Sequence, residues 1–133
     1  MNSTEKQPAK RTILIVDDQP EISSFLGDYF EADKSIAELV DIKVACTGAD
    51  GLRELKEGKI AALVTDGSID HNGTDGITLA RAALEQGVPK DLIYIYTSAP
   101  ADYTQEANKL GVKVLMKREH SALRGYLNFH LTR

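Results

Sequence analysis

The feature that most constrains this chain is a repeated alternation. Five short runs rich in β-branched and aliphatic residues occur along it: "TILIV" (12–16), "DIKVAC" (41–46), "IAALV" (60–64), "LIYIY" (92–96) and "VKVLM" (112–116). Runs of this length and composition read as strands buried on both faces. A segment with helical periodicity follows each one. Pro20 suits the first turn of a helix in which Ile22, Phe25, Leu26, Tyr29 and Phe30 form an apolar stripe. Residues 47–58 form a second helix, with Leu52 and Leu55 facing inward and Gly58 as terminator. Asp75 is a natural N-cap for a third, which Gly87 and Pro89 stop. Residues 101–110 form a short helix ending at Gly111, and 119–131 a last one with Leu123, Tyr126, Leu127 and His130 on one face.

Five strands alternating with five helices predict an open, doubly wound α/β domain around a five-stranded parallel sheet. Right-handed crossovers bring the carboxyl ends of such strands to one edge, where ligands sit in this architecture. The chain has 133 residues, 42% hydrophobic and 27% charged, which suits one domain with one continuous core. The polar residues 1–10 read as a flexible lead-in to a domain spanning 11–133. With 16 Lys+Arg against 20 Asp+Glu the net charge is −4, and no basic stripe is present, so direct nucleic-acid binding is not expected. No apolar stretch is long enough to span a bilayer, and "MNSTEKQPAKR" lacks the apolar region of a signal peptide. The single cysteine, Cys46, has no internal disulfide partner. Its strand-like context predicts a small core residue in a reduced, cytoplasmic setting.

The strand ends name the candidate site. The first strand ends in Asp17 and Asp18, the third in Asp66, the fourth in Thr97 and Ser98, the fifth in Lys117. Convergence at one edge gathers three carboxylates, one or two hydroxyls and one ammonium. Two carboxylates about 4 Å apart repel by roughly 4 kcal/mol at an effective dielectric near 20. Three such groups need a cation or a proton, and Lys117 offsets only one charge. A hard divalent ion such as Mg²⁺ suits an all-oxygen set. Taken singly, Asp17 or Asp18 could cap the first helix and Lys117 could be a solvated lysine. Asp66 resists that reading, because no helix directly follows it to be capped.

The segments "ILIVDDQPEI", "LVTDG", "YTSA" and "VLMK", in this order, resemble a two-component response-regulator receiver domain over residues 11–133. That resemblance implies a CheY-like, flavodoxin-like (βα)₅ fold and a Mg²⁺-dependent phosphorylatable switch. Asp66 would be the phosphoacceptor, attacking a phosphohistidine donor. Asp18 would bind Mg²⁺ directly, with Asp17 beside it partly through water, and Asp66 and the backbone carbonyl of Ser68 would complete the protein ligands. Lys117 would pair with Asp66 and then contact a phosphoryl oxygen. A strand-four hydroxyl would hydrogen-bond the phosphoryl group. Ser98-Ala99 fits the hydroxyl-then-small pattern and Thr97-Ser98 fits it too; "SAPAD" favours Ser98. Implied partners are a sensor histidine kinase or a phosphotransfer protein, and a downstream protein target met at the face of the last two helices and the fifth strand. A stand-alone switch is expected, with self-catalysed phosphoryl acceptance rather than enzymatic turnover.

The chain also departs from that pattern. The Met-Pro pair usual after the acceptor is Ile69-Asp70 here, and the matching glycine is Gly76, ten residues past Asp66. The loop thus carries two extra residues and two extra acids, Asp70 and Asp75. Arg118 replaces the usual proline after the lysine, which predicts a trans peptide bond. Val114 occupies the place of the switch aromatic. Tyr94 and Tyr96 could substitute for it, although core filling is the simpler role. Gly111 to Lys117 is one residue shorter than usual. The alternative these departures support is a receiver-like scaffold that binds partners without phosphorylation. A calcium loop over Ser68, Asp70, Asn72 and Gly73 fails at its twelfth position, Leu79, and Asn72-Gly73 suits a tight turn. A phosphohydrolase with Asp66 as nucleophile would need a second acid where Ser68 stands.

Overall fold

Burial of both faces of the short apolar runs organises the chain. The computed structural model describes residues 10–69 and 75–132. The expectations for residues 1–9, for Asp70 and for the Asn72-Gly73 turn lie outside the described residues. In chain order the elements are β1 (Arg11–Val16), α1 (Pro20–Glu31), α2 (Lys34–Ala37), β2 (Val40–Ala45), α3 (Gly48–Lys56), β3 (Ile60–Thr65), α4 (Gly76–Glu85), β4 (Ile93–Thr97), α5 (Thr104–Leu110), β5 (Lys113–Met116) and α6 (His120–Leu131). Single 3₁₀ turns at Lys90–Leu92 and Pro100–Asp102 precede β4 and α5.

The sheet is parallel throughout, in the order β2-β1-β3-β4-β5. Central strands β1, β3 and β4 supply the core, with Ile13, Leu14, Leu63, Ile93 and Ile95 fully buried. Register aligns the strand ends: Val16 pairs with Ala45 on one side and Thr65 on the other, and Thr97 pairs with Met116. One edge of the sheet therefore collects the residue that follows each strand.

Local chemistry explains the helix limits. Thr47 caps α3 by accepting from the Asp50 N–H, and Asp75 caps α4 by accepting from the Thr78 N–H. Gly111 ends α5 at φ 80°, a conformation that favours glycine.

Several expectations are corrected. The one-turn helix α2 was not anticipated; Asp33 caps it through the Ser35 N–H, and Asn128 of α6 hydrogen-bonds both Asp33 and Ser35. The fourth expected helix divides into a 3₁₀ turn and α5. Cys46 is exposed rather than core, because it follows the last paired residue of edge strand β2. Phe25 of the expected α1 stripe is exposed rather than buried with Leu26 and Phe30; its ring packs on Tyr29 and His120 instead.

Candidate functional site

Backbone pairing carries past the strands and sets the spacing of the site. The Asp17 N–H donates to the Ala45 carbonyl, the Asp66 N–H to that of Val16 and the Lys117 N–H to that of Thr97. Three residues far apart in sequence are thereby held by ladder hydrogen bonds at one sheet edge.

The Lys117 ammonium spans two carboxylates, lying 3.0 Å from Asp17 Oδ2 and 3.2 Å from Asp66 Oδ2. The sequence pointed only to the Asp66 pair. Each carboxylate uses its other oxygen locally: Asp17 Oδ1 accepts from the Gln19 N–H at 2.9 Å, and Asp66 Oδ1 from the Gly67 N–H at 2.7 Å. Asp17 is buried, Asp66 half-buried and Asp18 exposed. Each of these three acids places a carboxylate oxygen within 4.8 Å of the others.

Electrostatics follow from that crowding. Burial pushes the Asp17 carboxyl above its ordinary range, opposed by the Gln19 N–H and Lys117 and reinforced by the negative charge of Asp66. Burial lowers the Lys117 ammonium, but the hydrogen bond and charge of Asp17, together with Asp66, outweigh it and leave it raised. Three carboxylates against one ammonium leave an excess of negative charge. Their hard oxygens suit a small divalent cation that keeps several waters, with Asp18 on the solvent side. The donor set therefore fits Mg²⁺.

The remaining sequence candidates lie around this centre. Thr97 is buried and its hydroxyl accepts from the Ala99 N–H at 3.1 Å, whereas Ser98 is exposed. Ser68 is exposed, and its backbone forms an isolated bridge with Asp75. Tyr94 and Tyr96 are both buried, as core filling requires.

Four further residues shape the site, and the sequence did not assign them these contacts. Gly76 packs so tightly on the end of β3 that a Cβ there would lie 2.4 Å from the Asp66 carbonyl oxygen, and its N–H donates to the Gly67 carbonyl. Gly67 itself lies against the ring of Tyr103. Arg118, next to Lys117, adopts φ 131°, and its N–H donates to the Tyr96 hydroxyl at 3.1 Å. No cis peptide bond occurs among the described residues. Gly67 and Gly76 on either side of the loop after Asp66 were visible as glycines; their contacts were not.

Comparison with solved structures decides the architecture. A response-regulator receiver domain protein from Clostridium thermocellum superposes with a TM-score of 0.74 at 22% identity, covering 92% of this chain and 95% of its own. The receiver domain of the Francisella response regulator 1452 gives 0.74 at 22%, covering 93% and 98%. This chain has the receiver fold. A third receiver structure, the BeF3-activated N-terminal domain of Klebsiella pneumoniae RstA, gives 0.73 at 21%, covering 92% of this chain and 100% of its own. No family model matches the sequence. No curated protein matches it either. In the receiver fold observed here, the acidic cluster occupies the carboxyl edge of β1 and β3. Among the described residues no helix is long and apolar enough to cross a membrane.

Proposed function

We propose that the protein is a phosphorylatable receiver switch, with Asp66 as phosphoacceptor. The observation that carries this reading is the Lys117 ammonium held between Asp17 and Asp66 at the carboxyl edge of a receiver fold. An ordinary surface lysine has no reason to be buried against two carboxylates whose own burial is unfavourable.

The residues divide the chemistry as follows. Asp66 Oδ2 attacks the phosphorus of a phosphohistidine or a small acyl phosphate, forming an aspartyl phosphate as the donor's bond to phosphorus breaks. Lys117 exchanges its contact with Oδ2 for one with a phosphoryl oxygen. Asp17, Asp18, Asp66 and the Ser68 carbonyl would hold Mg²⁺, which supplies neutralisation of charge on the phosphoryl oxygens. Thr97 and Ser98 offer the hydroxyl that would bond the new group; Thr97 already spends an acceptor site on Ala99, and exposed Ser98 is the freer of the two. The added charge would then reset the loop after β4.

The donor would be a sensor histidine kinase or a phosphotransfer protein. Output to a downstream protein would use the face of α5, β5 and α6, where a groove of about 400 Å³ is lined by Tyr94, Asn108, Lys113, Val114 and His130.

The test is intact mass after incubation with acetyl phosphate, with and without Mg²⁺, on the wild-type chain and Asp66→Asn. A single phosphoryl adduct that needs both Mg²⁺ and Asp66 is expected. No adduct from acetyl phosphate or from a phosphorylated histidine donor would leave the phosphorylation-independent scaffold as the better reading.

A further inference from the structure

We propose that Tyr103 sets the lifetime of the phosphoryl group by closing its ring over the acceptor loop against water. This inference rests on the phosphoacceptor role of Asp66 given above. Tyr103 lies between the 3₁₀ turn Pro100–Asp102 and α5, just beyond the hydroxyl pair Thr97-Ser98. Its ring reaches across to the residue after Asp66: a Cβ at position 67 would lie 2.4 Å from Cε2, 2.5 Å from Cζ and 2.8 Å from Cδ2. One edge of the ring thus occupies the space that any side chain other than glycine's would take. Burial, reinforced by the negative charges of Asp66 and Asp75, holds the Tyr103 hydroxyl above its ordinary range. The ring therefore covers the backbone that immediately follows the acceptor.

Tyr103 is the N-cap of a seven-residue helix and makes no side-chain cap hydrogen bond. The ring is half-buried: part of it packs against the hydrophobic core and part stays open to solvent. Hydrolysis of the aspartyl phosphate requires a water oxygen to bond to phosphorus while the bond from phosphorus to the Asp66 oxygen breaks. The carboxylate is regenerated, inorganic phosphate leaves and the water proton passes to solvent. An apolar ring edge beside the acceptor lowers the supply of water to that step. Displacing the ring raises it.

Two substitutions displace it by different means. Tyr103→Ala deletes the ring, and Gly67→Ala expels it, because the far end of a side chain gives way more cheaply than backbone. The full-length chain is phosphorylated with acetyl phosphate and Mg²⁺, the donor is removed, and decay of the adduct is followed by intact mass. Both variants should shorten the half-life by the same factor, on the order of threefold to tenfold, while Tyr103→Phe, which keeps the ring, stays closer to wild type. Thermal denaturation run alongside separates this from simple loosening: space filling alone would lower stability and leave the half-life unchanged. Half-lives in both variants within about twofold of wild type overturn the role of Tyr103 and leave Asp66 standing. Absence of any adduct on the wild-type chain removes both proposals together. Should Tyr103→Ala fail to fold, the half-life of Gly67→Ala decides.

Discussion

Arg118 is the one non-glycine residue with positive φ among the described residues, and it directly follows Lys117. Backbone strain of about 1–3 kcal/mol is typical of such a position. Here the Tyr96 hydroxyl accepts the Arg118 N–H and holds the turn. The strained turn thus fixes the exit of the chain just where Lys117 must point back at Asp17 and Asp66. Arg118→Gly should raise stability by about 1 kcal/mol, the relief of strain exceeding the extra entropy of an unfolded glycine. Urea denaturation checks this, and an unchanged or lowered midpoint would mean that the turn carries no strain. Tyr96→Phe should cost about 1–2 kcal/mol by stranding the Arg118 N–H. It should also slow phosphorylation of Asp66 more than it weakens Mg²⁺ binding, because the lysine, not the acid cluster, loses its support. Arg118 was legible as a departure from the expected proline. Its dihedral angle was not, since nothing in "MKRE" dictates a left-handed residue.

Between elements, α4 approaches the end of β3 backbone to backbone. Gly76 opens α4 where a Cβ would meet the Asp66 carbonyl oxygen, which accepts from the Thr65 hydroxyl at 2.9 Å. Gly76→Ala should destabilise the protein by about 1–3 kcal/mol, because the neighbour is backbone and has no rotamer to yield. The same substitution should reduce phosphorylation by shifting Asp66; full activity with normal stability would show that the loop yields freely. A second inter-element contact predicts a pH dependence. The Asp33 carboxyl is held below the usual carboxylate range, chiefly by the Ser35 hydroxyl and further by Asn128 and Arg124 of α6. A depressed folded value means that its contribution is present above about pH 4 and is lost as pH falls through that lower value. Asp33→Asn should flatten this part of the stability curve, as followed by denaturation midpoints at successively lower pH. Equal acid sensitivity in wild type and variant would place the loss elsewhere. At this scale the α4 N-cap Asp75 was legible, because capping is decided by neighbours in the chain. Helix α2 was not, since a single turn has no periodicity to display and depends on packing against α6.

For the whole molecule, the charge imbalance at the sheet edge ties cation binding to stability. A cation that binds only the folded chain raises the unfolding free energy by about 2.7 kcal/mol at a hundredfold excess over Kd. Magnesium should therefore raise the denaturation midpoint of the wild-type chain, and Asp18→Asn should abolish most of that rise. A magnesium-independent midpoint would count against a cation site at Asp17, Asp18 and Asp66, whatever the phosphorylation assay returns.

The periodicity of the chain determined by itself that five buried strands alternate with helices, and which residues terminate those strands. Those properties depend on side chains a few positions apart, whose polarity and branching are written in order. Only the tertiary structure decided that Lys117 is shared between Asp17 and Asp66, that Gly76 touches the Asp66 backbone and that Tyr103 lies on Gly67. Each of these depends on strand register and on the crossing of a helix over a sheet, quantities summed over the whole core. A change of one residue in register would turn the same side chains to the other face.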